Sequence, residues 1–183
     1  MGLRDRREQR KADRDEFGRG GSATVFRIRE KAASIGDDFW IEDSDGNRRY
    51  KVNGKALRIR DTLTFEDTEG NELVHLQSKA LSIRDKMKIE RVNGVGGVLV
   101  KDLVSVFGDD FTLKLDDGRE LRISGNLVEH EYEIHEGDNK VGEVSKKWFR
   151  VRDMYGVQIE PGFDEVLLLA AAIGVDQQTH DVG

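Results

Sequence analysis

The sequence contains no cysteine and a single proline, and both shortages limit what the chain can do. Without cysteine it can form neither disulfides nor thiolate metal sites. Because proline cannot donate a backbone hydrogen bond, its scarcity beside 20 glycines is typical of a sheet with tight turns. Basic residues are outnumbered by acidic ones, 30 to 36, and the resulting net charge of −6 argues against a general nucleic-acid binder.

Long apolar runs are equally rare, and the exception is Val166 to Val175, which carries no polar side chain. A helix of this length rises about 15 Å, whereas the hydrocarbon core of a bilayer is about 30 Å thick. A helix that is apolar on every face and too short to span is expected to be surrounded by protein. Asp164 can cap its first turn, and Glu165 suits the positive end of the helix dipole. We therefore predict a core helix at about residues 164–176.

Residues 1–20 form a strongly charged segment of both signs, whose only large apolar side chains are Met1, Leu3 and Phe17. These positions make no helical stripe, so a disordered tail or a frayed helix is expected. A basic arm that touches anionic lipid or RNA is the alternative. The segment also lacks the apolar stretch of a signal peptide, which favours a cytoplasmic protein. The remaining residues 21–183 are predicted to form one domain.

After Ser22, short runs alternate apolar and polar residues, as in Phe111 to Leu115 (FTLKL). This period of two is typical of strands with one buried face. Turn signals separate the runs, at Asp45-Gly46, Asn93-Gly94 and Asp117-Gly118 among other places. The pattern predicts a long antiparallel meander, so the predicted fold class is mainly β.

The chain also contains an internal repeat. The motif Lys-Ala-Leu-x-Ile-Arg-Asp occurs at Lys55 to Asp61 and at Lys79 to Asp85, with a looser third copy at Lys147 to Asp153. In each copy the apolar side chains share one face of a strand, and a repeated unit this short cannot bury that face alone. Closing the sheet into an antiparallel β-barrel removes its edges, and the hydrophobic C-terminal α-helix then fills the lumen.

Several separate motifs occur in a fixed order along the chain. They are Ile35 to Asp43 (IGDDFWIED), the Lys-Ala-Leu-x-Ile-Arg-Asp units, Ser145-Lys146-Lys147-Trp148, Asp153-x-Tyr155-x-Val157 and the apolar helix ending at Asp176. Together they resemble the LURP-one-related (LOR) family, which belongs to the tubby C-terminal-like superfamily together with the phospholipid scramblases. The resemblance covers roughly residues 22–177. It implies a barrel of about twelve strands around a central C-terminal helix. Because the molecular function of this family is largely unassigned, the resemblance implies little about mechanism.

The motifs that could carry catalysis or bind a metal are incomplete. His130-Glu131-x-x-x-His135 has one residue too many for the HExxH zinc signature, and its two histidines would face opposite sides of a strand. Asp43-x-Asp45-Gly46 begins like an EF-hand loop but lacks the first and last ligands, so a hairpin turn is predicted. No serine lies in a nucleophile-elbow context. We therefore predict that the protein is not an enzyme and has no metal or cofactor.

Basic side chains provide the remaining candidate site. Arg60, Arg84 and Arg152 occupy equivalent positions in the repeats, each followed by aspartate. The simpler interpretation is that each Arg–Asp pair stabilises the corner after its strand, where exposed pairs contribute only about 0–1 kcal/mol. The alternative is a basic patch that binds a phosphoinositide or another anionic phospholipid head group. The candidate residues of this patch are Lys55, Arg58, Arg60, Lys79, Arg84, Lys146, Lys147, Arg150 and Arg152.

Three functions stay open at this point. A non-catalytic binding or scaffold barrel that acts through protein contacts is preferred, because the sequence demands nothing more. A peripheral membrane protein that binds anionic phospholipid head groups is the alternative. An enzyme or a scramblase-type transporter is disfavoured by the missing nucleophile, metal site and spanning segment. A monomer is expected. One observation separates the first two functions. Lipid binding requires the basic residues to form one continuous patch that is not paired with the neighbouring aspartates, whereas a protein scaffold does not require it.

Overall fold

The structure is a computed structural model that describes residues 23–29, 38–54, 62–78, 86–102, 110–149 and 153–180. Within these residues the chain forms twelve strands followed by one helix, α1. Their bounds are β1 Thr24–Arg29, β2 Phe39–Asp43, β3 Arg48–Asn53, β4 Thr62–Glu66, β5 Glu72–Ser78, β6 Lys86–Arg91, β7 Gly97–Lys101, β8 Phe111–Leu115, β9 Glu120–Asn126, β10 Glu131–Glu136, β11 Asn139–Ser145, β12 Met154–Ile159 and α1 Glu165–His180.

The strands form a closed antiparallel barrel. Each strand pairs with its neighbours in chain order, and β12 pairs with β1, where Phe26 lies opposite Val157 and Ile28 lies opposite Tyr155. Closure leaves no strand of the barrel with a row of unpaired backbone groups. The predicted mainly-β class, with twelve strands around a C-terminal helix, is thereby confirmed.

Alternation of residue type determines which side of the wall each side chain faces. In β8, Phe111, Leu113 and Leu115 are buried toward the lumen, whereas Thr112 and Lys114 face outward. A side chain of this size contributes about 1.5–3 kcal/mol when it is fully buried. The period of two read from the sequence therefore becomes an apolar inner face and a polar outer face.

Helix α1 supplies the other half of the core. Between Leu168 and Ile173 every side chain is 1% exposed or less, so the barrel wall surrounds the helix on all sides. The glycine at Gly174 has a packing reason, because a β-carbon there would lie 3.0 Å from the side chains of Leu99 and Met87. Such close packing offsets the roughly 1 kcal/mol that glycine costs inside a helix.

The helix ends later than the sequence indicated. It was predicted to stop near Asp176, where the apolar run ends, but it continues to His180. The polar side chains after Asp176 hid this last turn from a reading based on hydrophobicity. Gln177 is nonetheless buried, at 6% exposure, while Gln178 and Thr179 are partly exposed, so the helix begins to leave the core in this extra turn.

The start of α1 is attached to the barrel wall by polar contacts. Asp164 caps the helix, since its Oδ1 accepts a hydrogen bond from the Leu167 N–H at 3.0 Å. The Arg91 guanidinium at the end of β6 also binds the Asp164 carboxylate, with its Nη2 3.0 Å from Oδ2. Tyr50 of β3 donates a hydrogen bond to Glu165 at 3.3 Å. These contacts fix how far the helix enters the lumen.

The predicted hairpin turn at Asp43 is present, and the next hairpin repeats its geometry at Asp67. In the second loop, Asp67 Oδ1 accepts hydrogen bonds from the backbone N–H groups of Glu69 and Asn71, at 2.8 and 2.9 Å. The side-chain amide of Asn71 donates to the other oxygen. These bonds, of which the Asn71 side-chain bond is the strongest cause, lower the pKa of Asp67 below its usual value. Both loops are therefore Asx-type turns.

Several predictions concern residues outside the described ranges. The charged tail at residues 1–20 is one, and the repeats at Lys55 to Asp61 and Lys79 to Asp85 are others. Their predicted structure stays a prediction. In the part of the chain that is described, no helix has the length and apolar character needed to cross a membrane.

Candidate functional site

His130 is the centre of a buried polar cluster beside the last turns of α1. Its side chain is 1% exposed, and its Nε2 lies 2.7 Å from Oδ1 of Asp176, whose side chain is 4% exposed. The imidazole stacks on the ring of Tyr155 from β12, with ring centroids 4.5 Å apart and planes 23° from parallel. The cluster therefore joins the helix to the turn before β10 and to β12.

The turn between β9 and β10 determines where the His130 side chain lies. His130 has a φ of 53°, in the left-handed region that residues other than glycine seldom adopt. Its N–H donates to the Leu127 carbonyl at 3.2 Å, which closes the turn. Gly125 has a φ of 141°, and a β-carbon there would lie 2.7 Å from the Tyr132 Cα. These two positive φ values shape the turn so that the His130 side chain points into the barrel.

Tyr132 adds a second hydroxyl-bearing ring to this region. Its side chain is buried, and among the described residues its hydroxyl makes no hydrogen bond. Burial raises the pKa of Tyr132 well above its ordinary value, and the negative charge of Asp176 raises it further. Tyr132 is therefore a neutral phenol at physiological pH.

The residue after His130 points the other way, out of the barrel. Glu131 lies opposite Ser145 in the β10–β11 pairing, and its carboxylate accepts the Ser145 hydroxyl at 2.9 Å. The backbone N–H groups of Lys146 and Lys147 donate to the same carboxylate at 3.0 and 3.1 Å. The Lys147 ammonium completes the group, 3.2 Å from Oε2. The Ser145–Lys147 turn thus encloses a negative charge that belongs to the chain itself.

The predicted basic patch is only partly described. Lys146 is half-buried and Lys147 is exposed, and Lys147 is paired with Glu131. The other candidates lie outside the described residues, namely Lys55, Arg58, Arg60, Lys79, Arg84, Arg150 and Arg152. Whether all nine form one patch therefore stays a prediction. Within the described part of this patch, the pairing of Lys147 with Glu131 was not foreseen.

Sequence reasoning missed the His130–Asp176 pair, although one signal was available. Asp176 is the first charged residue after a run of ten apolar ones, on a helix already predicted to be enclosed. A buried carboxylate needs a partner. Alternation placed His130 on a strand, whereas it lies in the preceding turn. The other histidine of that motif, His135, is on the outer face, 3.0 Å from Glu133.

A closed twelve-stranded barrel with an apolar C-terminal helix in its lumen is the tubby-like architecture. The chain belongs to the LURP-one-related family, because the sequence model of that family matches residues 24–176. The match ends at the aspartate that pairs with His130.

One solved structure supports the fold independently. The X-ray structure of a protein from Arabidopsis thaliana is similar to this chain, with a TM-score of 0.56 and 19% sequence identity. The similarity covers 85% of this chain and 90% of the other. At this identity the similarity shows the fold alone. The comparison with curated protein sequences finds no match.

Proposed function

We propose that this protein is a non-catalytic binding or scaffold barrel that acts through its outer surface. The observation that carries the proposal is the packed lumen, where α1 is enclosed along Leu168 to Ile173. Protein interiors packed in this way hold few voids larger than a water molecule. Along this stretch of α1, the described part of the barrel interior is filled by the helix and leaves no room for a substrate or a lipid chain. Binding is therefore assigned to the outer surface.

The geometry of the polar cluster also supports a role without catalysis. The contact between His130 and Asp176 is similar to that between the general base and the orienting carboxylate of a hydrolase, but the similarity ends with this contact. A general base must come within about 3 Å of the substrate proton, directly or through one water. A ring that is 1% exposed and stacked on Tyr155 has no such access. The pair instead attaches the helix to the wall.

A second candidate function is binding of anionic phospholipid head groups, and the topology favours it at one end of the barrel. Strands alternate in direction, so β3, β5 and β11 all end where β4, β6 and β12 begin. In the sequence, the nine basic candidates all fall in the segments between these strand ends, from Lys55 to Arg152. Basic residues close to an anionic bilayer contribute about 1 kcal/mol each.

Co-sedimentation with vesicles separates the two functions. The test compares neutral vesicles with vesicles carrying phosphatidylserine or a phosphoinositide, at low and physiological salt. A protein-binding scaffold is expected to stay in solution with all of them. Head-group binding predicts salt-sensitive sedimentation with anionic vesicles, weakened about tenfold or more by Lys146→Glu with Lys147→Glu.

The matched control carries the same charge change elsewhere on the wall. Lys88→Glu with Lys114→Glu reverses two lysines on the outer faces of β6 and β8, whose side chains are 43% and 60% exposed. Sedimentation that both double variants weaken equally would mean attraction by overall charge and no specific patch. Specific loss in the Lys146 and Lys147 variant would contradict the protein-scaffold proposal, and absence of sedimentation by the parent would contradict the lipid proposal.

A further inference from the structure

The Ser145–Lys147 turn has the composition of an anion-binding site. Five donor contacts converge on the Glu131 carboxylate, from the Ser145 hydroxyl to both oxygens, two consecutive backbone amides and the Lys147 ammonium. Successive backbone N–H groups that point into one concavity form a nest, a geometry that binds phosphate in many proteins. A carboxylate held by so many donors occupies the position of an anionic ligand.

The donors are held in place by contacts other than those with Glu131. The Lys146 N–H also donates to the His130 carbonyl at 3.1 Å, and the His130 ring is fixed in the core by Asp176. Ser145 is 3% exposed and belongs to β11. The Lys147 N–H also donates to the Ser145 hydroxyl at 3.3 Å. These contacts allow the turn to keep its shape when the carboxylate leaves.

Solvent reaches the Glu131 carboxylate and the Lys147 donors, whereas Ser145 is buried. The Glu131 side chain is 21% exposed and the Lys147 side chain 62% exposed, so the site opens to solvent on its outer side. A phosphate monoester brings three acceptor oxygens and a charge between about −1.5 and −2 at neutral pH. It matches the converging donors better than one carboxylate does.

We propose that the Ser145–Lys147 turn is a binding site for phosphate monoesters and that Glu131 occupies it as an internal, competing ligand. An intramolecular ligand on a short connection acts at an effective concentration in the millimolar range or above. Glu131 therefore weakens phosphate binding by the wild-type protein and sets the concentration at which a phosphate displaces it. The proposal deepens the phospholipid candidate above, but it applies equally to soluble phosphates.

Two variants of Glu131 test the site. Glu131→Ala removes the occupant, and Glu131→Gln keeps its shape while removing its charge. The probes are inorganic phosphate and a soluble inositol phosphate, with binding followed through the backbone amide resonances of Lys146 and Lys147. Relative to wild type, we expect binding to be tightened about tenfold or more by Glu131→Ala and by a smaller factor by Glu131→Gln. Adding Lys147→Glu to either variant should abolish the gain.

The matched control is Glu133→Gln, which removes an outward carboxylate from the same strand, where it pairs with Lys140. It should bind phosphate as wild type does. Equal affinities for wild type and both Glu131 variants would overturn the proposal, as would a gain that Glu133→Gln reproduces or that Lys147→Glu leaves intact. If Glu131→Ala does not fold, Glu131→Gln carries the test.

Vesicles with and without a phosphoinositide distinguish the two sources of phosphate. Tightening that appears with inositol phosphate and with phosphoinositide vesicles assigns the site to head groups, whereas tightening in solution alone assigns it to soluble phosphates. If the site fails, the phospholipid candidate still has a separate result. Wild-type vesicle binding that depends on Lys146 and Lys147, with no effect of the Glu131 variants, would mean that head groups bind the basic patch without displacing Glu131.

Discussion

Leu169→Ala is expected to lower the free energy of unfolding by about 2–5 kcal/mol. Leu169 is fully buried in the second turn of α1, where the closed wall leaves little freedom for neighbours to fill the cavity. A typical domain is stable by about 5–15 kcal/mol, so this one change removes a large share of the total. Denaturant unfolding followed by circular dichroism measures it.

Two further variants show whether the effect depends on packing. Leu169→Met keeps the volume and should cost less than about 1.5 kcal/mol. Val128→Ala shortens a side chain that is 59% exposed, and it should change stability by less than about 0.5 kcal/mol. A Leu169→Ala protein as stable as the Val128→Ala control would contradict a packed lumen.

Asp176→Ala is expected to be the next most damaging change, at about 1.5–3 kcal/mol or more. This is the range for losing a hydrogen bond to a charged group, and the change also leaves His130 buried without its carboxylate partner. His130→Ala should cost a similar amount. Because the two side chains act as a pair, the double variant should cost clearly less than the sum of the single ones.

A surface ion pair provides the control for the Asp176 and His130 variants. Glu120 and Lys114 are both 60% exposed and lie 3.7 Å apart, so replacing Glu120 with alanine should cost about 0–1 kcal/mol. An Asp176→Ala protein that loses no more than this control, or single effects that simply add, would show that the 2.7 Å contact does not couple the helix to the wall.

The fold was predictable because each of its two parts has a local sequence signature. The alternation in Phe111 to Leu115 indicated a strand with one buried face, and that is how β8 is placed. The apolar run from Val166 to Val175 is too short to span a bilayer and has no polar face, which left enclosure by strands as the remaining solution. Neither inference required knowledge of distant contacts.

The candidate site could not be predicted in the same way, since it depends on contacts between distant residues. The partners His130 and Asp176 are joined only after the helix enters the barrel, and the left-handed φ of His130 removes it from the strand pattern. Glu131 meets Lys147 through the register of β10 and β11, which charge alone does not reveal. The sequence made Lys147 a candidate for binding an anion, but only the structure shows that Glu131 is its partner.

The central claim is that α1 is the core on which the barrel closes, and removing residues 164–183 tests it most directly. Without the helix, the apolar inner face of every described strand would be open to water. The truncated protein should therefore be insoluble, or unfold without a cooperative transition, in a circular dichroism melt. A soluble truncated protein with strand-rich circular dichroism and a cooperative melt would contradict the claim, because the strands would then close without their core.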